Sequence, residues 1–217
     1  MLHIQTFTFN PLSENTYVIF DETREAAIID PGCYEKYERQ ELDDYIQKEG
    51  LQVTQLLNTH CHIDHVLGNY HVKEKYRIPL WVHPLEQAVL KAASSYASVY
   101  GFPAYQEAIA DHLLIPDSFI TIGKTPWNIL FLPGHSPGHV GFYQANGKTL
   151  ISGDVLFNGS VGRTDLPGGN WDVLVQGIKQ KVFSLPDDVL VYPGHGPTTT
   201  IGEEKEYNPF VGKTAHS

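Results

Sequence analysis

A dense cluster of metal-ligand side chains lies near the end of the first third of the chain. Four imidazole or carboxylate groups fall within six residues of the segment Thr59-His60-Cys61-His62-Ile63-Asp64-His65. Zinc, iron and manganese accept such nitrogen and oxygen donors in proteins. If the segment is extended, His60, His62 and Asp64 share one face. A turn at Asp64 and His65 can instead offer two ligands to each of two metals. The density of the cluster predicts a metal site rather than a polar loop.

Three later segments each place one ligand-type side chain just after a predicted strand and beside glycine. They are Pro133-Gly134-His135, Ser152-Gly153-Asp154 and Pro193-Gly194-His195. Glycine permits the tight backbone bend that such a position needs. Each segment alone is also a common turn sequence. Because strand ends can meet at one edge of a sheet, the three segments together indicate further ligands for the same site.

The hydrophobic pattern predicts strands and helices that can position these ligands. Strands are expected at residues 2–9, 16–20, 26–29, 53–57, 119–122, 128–132, 139–144, 149–152 and 189–192. Helices are expected at residues 35–49, 85–100 and 171–183. Each half of the sequence combines strands, ligand-bearing strand ends and a helix, which predicts two sheet-plus-helix layers meeting along an edge. No linker rich in Ser, Gly or Pro divides the chain, so one domain over residues 1–217 is expected.

The composition excludes several classes of partner. The formal net charge is −10, which disfavours a nucleic-acid partner held by bulk electrostatics. Only Cys33 and Cys61 are available for disulfides, so a reducing compartment is the simpler interpretation. The N-terminus lacks the pattern of a signal peptide, and no apolar run is long enough to span a bilayer. A cytoplasmic protein without membrane contact is therefore expected. The sequence does not predict its oligomeric state.

The four motifs, in this order, resemble the metallo-β-lactamase superfamily and, within it, the glyoxalase II (hydroxyacylglutathione hydrolase) group. The resemblance covers the chain from Asp30 to His195. It implies an α+β fold, a four-layer αβ/βα sandwich with metals at one edge of the two sheets. Full-length glyoxalase II enzymes carry a C-terminal helical segment that binds glutathione. This chain ends soon after Glu203, so it is expected to resemble the short members that lack that segment.

The resemblance also implies how two divalent transition metals divide the ligands. Each metal takes three side chains and both share one carboxylate: His60, His62 and His135 for the first, Asp64, His65 and His195 for the second, and Asp154 between them. Zinc is the expected metal, with iron or manganese as alternatives, because the same donors suit all three. Two cations lower the pKa of a shared water toward neutrality, which supplies a nucleophile for an acyl carbon.

The implied activity is hydrolysis of a small-molecule thioester or related substrate. Asp64 and Asp154 are therefore expected to be catalytic residues as well as ligands. For Asp64 the residue pattern allows a ligand or a proton acceptor, and the resemblance favours the ligand, with hydrogen bonding to the water as a second role.

Four further residues are expected to support the site. Asp30 can accept the free N–H of a ligand histidine and fix its tautomer, or it can be a turn residue. Thr59 can orient a ligand, although a β-branched strand residue needs no such role. His139 is expected to pack beside the site rather than to ligate. Arg163 is expected to contact a substrate carboxylate, or else to pair with Asp165.

Two rival functions remain open from the sequence. Persulfide dioxygenases share the fold and the motif order but use a single iron held by two histidines and one aspartate. The presence of Asp64, His65 and His195 favours two metals and hydrolysis instead. A metal-binding domain without catalysis is the other alternative, and a ligand set with open coordination positions disfavours it.

Overall fold

The computed structural model describes residues 1–213 and 215. Its contacts divide the chain into two compact units. The first unit contains residues 1–114 and 120–126, and the second contains residues 115–119 and 127–217. The single domain expected from the sequence stays a prediction.

The first unit is built on a six-stranded mixed sheet whose spatial order follows the sequence. Its strands are β1 (His3–Phe9), β2 (Glu14–Phe20), β3 (Glu25–Ile29), β4 (Gln52–Leu57), β5 (Leu80–Val82) and β6 (His112–Leu113). Its helices are α1 (Lys36–Glu49), α2 (Ile63–Val66), α3 (Asn69–Tyr76) and α4 (Glu86–Tyr96). The first three strands are antiparallel, whereas β3 to β6 run parallel.

The parallel strands of the first unit deliver polar residues to one sheet edge. The Asp30 amide, just after β3, donates to the Leu57 carbonyl, and the Asn58 amide, just after β4, donates to the Trp81 carbonyl. Since parallel strands end on the same side, the residues that follow β3, β4 and β5 emerge together. The metal-ligand cluster begins at this edge.

The helices of the first unit differ in how well their ends were predicted. The helix α1 buries Leu42 and Ile46 and ends at Gly50, which adopts the left-handed conformation (φ 61°), so the prediction for residues 35–49 is confirmed. The helix α4 ends at Tyr96, so the prediction that it reaches residue 100 is wrong. Residues 97–102 form turns instead, and the Phe102 amide donates to the Ala97 carbonyl.

The second unit is built on the other six-stranded sheet, in the order β14-β13-β10-β9-β8-β7. Its strands are β7 (Phe119–Ile122), β8 (Thr125–Phe131), β9 (Val140–Gln144), β10 (Thr149–Gly153), β13 (Leu190–Pro193) and β14 (Thr199–Thr200), with a separate hairpin of β11 (Leu156–Phe157) and β12 (Ser160–Val161). Residues 120–126, which include most of β7 and the start of β8, group with the first unit. The helices are α5 (Trp171–Gly177), which continues as a π-helical turn over Ile178–Val182, and α6 (Ile201–Tyr207).

Strand direction explains where the ligands of the second unit emerge. The strand β9 is antiparallel to both β8 and β10, and β10 is parallel to β13. The strands β8, β10 and β13 therefore run in one direction and end at the same edge. His135, Asp154 and His195 follow these three ends. Within the described residues, no helix has the length and apolar character needed to cross a membrane.

Candidate metal centre

The first half-site, defined as His60, His62, Asp64 and His65, lies where β4 leaves its sheet. After β4 the chain bends at Thr59, and His62 has an extended backbone (φ −66°, ψ 154°) just before α2 begins. Asp64 and His65 therefore belong to one helical turn, so an extended segment continuing to Asp64 is not what forms. The ring centroids of His60 and His62 lie 4.8 Å apart, and those of His60 and His65 lie 4.2 Å apart.

Asp30 supports two of these imidazoles, His65 directly and His60 through Thr59. Its Oδ2 is 3.2 Å from His65 Nδ1 and accepts the Thr59 hydroxyl at 2.5 Å. Its Oδ1 accepts the Thr59 amide at 2.7 Å. Because the hydroxyl proton of Thr59 goes to Asp30, its oxygen accepts from His60 Nδ1, which is 3.1 Å away. Both histidines thus carry the proton on Nδ1, which leaves Nε2 unprotonated.

Glu14 is a site residue that the sequence analysis missed. It is fully buried, its Oε1 lies 3.8 Å from His65 Nδ1, and the Thr16 hydroxyl donates to its Oε2 at 2.9 Å. Burial raises the pKa of Glu14 well above its usual range. The available signal was a charged residue shortly before the apolar run of residues 17–20 in β2.

Cys61, between two ligands, does not point to a metal. Its side chain is buried in the apolar core of the first unit. Burial raises the pKa of its thiol well above the usual range, and the Glu86 carboxylate raises it further. The Cys61 amide donates to Glu86 Oε2 at 2.8 Å. Glu86 was also missed, because a carboxylate in the first turn of a helix is common on its own.

The second half-site, defined as His135, Asp154 and His195, is contained in the second unit. Asp154 Oδ2 lies 3.4 Å from His135 Nε2 and 3.6 Å from His195 Nε2. His135 Nδ1 is 2.7 Å from the Arg163 carbonyl, which can only accept, so Nε2 of this ring is also unprotonated. Gly134 (φ 129°) permits the bend before His135, since a Cβ there would overlap the Leu174 backbone.

His139 and Arg163 lie beside the second half-site. The Asp154 amide donates to His139 Nε2 at 3.0 Å, so that nitrogen is occupied by a ligand residue's backbone. The Arg163 guanidinium makes two hydrogen bonds with the Asp165 carboxylate, at 2.6 Å and 2.7 Å. This pairing lowers the pKa of Asp165 to about 2. Both side chains are more than half exposed.

The donors of both half-sites fit a transition metal. Two ligands of one tetrahedral ion, each about 2.1 Å from it, are about 3.4 Å apart. The separations between Nε2 and carboxylate oxygen are 3.4 Å and 3.6 Å in the second half-site, and 3.7 Å between His65 and Asp64 in the first. These values exceed the 2.7–2.9 Å typical of charge-assisted hydrogen bonds. The chemistry and spacing of each donor set therefore suit zinc, iron or manganese.

Comparisons with known proteins identify the family of this chain. The profile of the Metallo-beta-lactamase superfamily matches residues 9–195. The chain is 34% identical to hydroxyacylglutathione hydrolase GloC of Haemophilus influenzae, covering 97% of this chain and 98% of that protein. Two solved structures are similar over nearly their whole length. One is BLEG-1, a B3 metallo-beta-lactamase (36% identity, 96% and 99% of the two chains, TM-score 0.88). The other is TTHA1623 in a di-iron-bound form (37% identity, 95% and 99%, TM-score 0.82).

This chain belongs to the metallo-β-lactamase superfamily of metallo-hydrolases. The predicted family and the α+β fold class are confirmed. The assignment of individual residues to two metals stays a prediction.

Proposed function

We propose that this chain is a metal-dependent hydrolase of the glyoxalase II type, which cleaves a small-molecule thioester. In this proposal the two half-sites act together on two divalent transition metals. One metal would be held by His60, His62 and His135 and the other by Asp64, His65 and His195, with Asp154 as a ligand of both.

One observation carries the proposal. His60, His65 and His135 each have their Nδ1 proton fixed by an acceptor on the protein, so each offers Nε2 to an ion. A structural polar cluster has no need to orient three imidazoles in this way. The similarity to the hydroxyacylglutathione hydrolase GloC supports thioester cleavage, and the di-iron form of TTHA1623 supports two metals.

Three aspartate side chains of the chain would have separate roles in the reaction. Bound metals supply Lewis acidity that makes water nucleophilic near neutral pH and stabilises negative charge on an acyl oxygen. Asp154 and Asp64 hold negative charge at the site, and Asp64 can also accept a hydrogen bond from the nucleophilic water. Asp30 orients His65 directly and His60 through the Thr59 hydroxyl, by the hydrogen bonds it accepts.

The other parts of the proposal concern the substrate, the identity of the metal, the cellular location and the partners. Arg163 has a guanidinium that could exchange Asp165 for a substrate carboxylate, since both are exposed and planar pairing suits either. We propose zinc as the metal, with iron or manganese as alternatives, and a small-molecule substrate in the cytoplasm. Neither nucleic acid nor a membrane is a proposed partner, given the net charge of −10.

Metal analysis combined with activity assays tests this proposal. The full chain is expected to bind two metals and to release thiol from a hydroxyacylglutathione, with activity lost on chelation and restored by Zn²⁺. A β-lactam and a glutathione persulfide, the latter with oxygen uptake recorded, serve as parallel substrates. One iron per chain with oxygen uptake and no thiol release would instead establish the oxidoreductase alternative. Hydrolysis of the β-lactam alone would contradict the thioester assignment.

A further inference from the structure

Two buried carboxylates hold the extended segment that carries His60 and His62. The amide of Thr59 donates to Asp30 Oδ1 at 2.7 Å, and the amide of Cys61 donates to Glu86 Oε2 at 2.8 Å. These residues lie beyond the end of β4, where the sheet no longer satisfies the backbone. The carboxylates therefore replace the neighbouring strand as acceptors.

Glu86 reaches this segment from a well-defined element. It is the first residue of the 11-residue helix α4 and is fully buried. Its own amide donates to the His83 carbonyl at 2.9 Å, in the turn that follows β5. A buried carboxylate is costly unless it is hydrogen-bonded, and a helix N-terminus lowers that cost. This buried carboxylate accepts the one backbone amide that lies between His60 and His62, which points to a role at the candidate metal centre.

We propose that Glu86 is a positioning residue that fixes the peptide between His60 and His62 and thereby sets the affinity for the metal that they share. The inference rests on the proposed function, in which these two histidines ligate one ion. Cys61 is held on two sides, because its side chain is in the core and its amide is on Glu86. A rotation at Cys61 would move both flanking imidazoles, so fixing it prepares the pair for the ion.

Substitutions at Glu86 separate geometry from charge. Glu86→Ala removes the acceptor and leaves the Cys61 amide buried without it. Glu86→Gln removes the charge but keeps one acceptor oxygen of the same reach. If position is what matters, the glutamine variant keeps most of the affinity that the alanine variant loses.

The Co²⁺ affinity of each site is measured by titrating the metal-free full chain with Co²⁺ in competition with a chromophoric chelator. Glu86→Ala is expected to weaken one of the two Co²⁺ sites by about 10- to 100-fold and to change its visible absorption spectrum, as is typical when a residue that orients a ligand is removed. The other site should stay within about threefold, and Glu86→Gln should keep both sites within about threefold of wild type.

Asp21→Ala provides the matched control. Asp21 is also buried in the first unit and accepts two amides and two hydroxyls, from Thr23, Lys124 and Thr125, but it contacts no proposed ligand. The Asp21→Ala substitution should lower the thermal stability of the metal-free chain while leaving both Co²⁺ affinities unchanged.

The outcomes separate this inference from the proposed function. A wild-type chain that binds no Co²⁺ would overturn the proposed function. Unchanged Co²⁺ affinities in Glu86→Ala would overturn only the role of Glu86. The same conclusion would follow if Glu86→Ala and Asp21→Ala weakened both sites to the same extent. If Glu86→Ala does not fold, Glu86→Asp replaces it, since the shorter side chain withdraws the oxygens. Equal Co²⁺ affinities in Glu86→Asp and Glu86→Gln would then contradict the inference.

Discussion

The two half-sites orient their ligands by different means. In the first, buried carboxylates accept from the ligand segment: Asp30 from Thr59 and His65, and Glu86 from Cys61. In the second, neutral groups do so: the Arg163 carbonyl accepts from His135, and the His139 imidazole accepts from the Asp154 amide. Charge-assisted hydrogen bonds are about twice as strong as neutral ones. The first half-site should therefore depend more on each supporting residue.

The backbones that carry the two half-sites also differ. The first half-site is one short segment that changes from extended to helical at His62. The second uses three separate strand ends, one of which requires a glycine at residue 134. A local segment needs strong acceptors to hold it, whereas strand ends are already fixed by their sheet. The following predictions test this contrast.

The largest effect is expected at Asp154, the carboxylate proposed to serve both metals. Asp154→Ala should lower kcat for thioester hydrolysis by about a thousandfold, because it removes charge stabilisation at the reacting centre. Metal content measured on the same samples should fall below two ions per chain. Asp188→Ala, at an exposed carboxylate paired with Lys148, is the control and should match wild type. Full activity in Asp154→Ala would contradict the proposed bridging role.

Gly134, just before His135, should matter for the folding of the second unit. Gly134→Ala should destabilise the protein by about 3 kcal/mol, since φ 129° is unfavourable for alanine and its Cβ would overlap Leu174. Gly159→Ala is the control: φ is also positive, at 67°, but nothing lies within 4 Å of the added Cβ. That variant should lose only about 1 kcal/mol. Chemical denaturation measures both, and equal losses would show that the close approach is unimportant.

Neutralising Asp30 tests the carboxylate support of the first half-site. Asp30→Asn keeps the size of the side chain and tolerates its positive φ of 49°. It should nevertheless weaken metal affinity by about 10- to 100-fold, because His60 and His65 lose the anion that orders them. Competition with a chelator reports the affinity. An Asn variant with wild-type affinity would remove the contrast between the half-sites.

His139 should show the smaller effect expected of a neutral acceptor. His139→Phe keeps a ring in the buried position but removes the acceptor for the Asp154 amide. The loss should be about 1 kcal/mol, or about fivefold in metal affinity. The same competition assay applies. A loss larger than that of Asp30→Asn would reverse the ranking of the two half-sites.

Much of this arrangement was predictable because it depends on local sequence. Strand periodicity predicted β1 to β4 and β7 to β10 to within a few residues, and the ligand motifs follow these strands. Elements of two to eight residues, such as β6, α2 and α3, carry too few side chains for a period to be visible. The helix at α4 was predicted to end four residues too late because the apolar pattern continues into turns.

The supporting residues were harder to predict than the ligands. Asp30 and Thr59 adjoin predicted strand ends, so their proximity to the cluster could be expected. Glu14 and Glu86 lie 51 and 21 residues from His65, respectively, and reach it or its segment only through the fold. Arg163 contributes through its backbone carbonyl, which no side-chain motif can indicate.

A crystal structure of the metal-loaded chain, with ions assigned by anomalous scattering, tests the central claim most directly. The account predicts two ions that share Asp154, one bound by His60, His62 and His135 and the other by Asp64, His65 and His195. A single ion, or ions that each take ligands from one half-site alone, would contradict it.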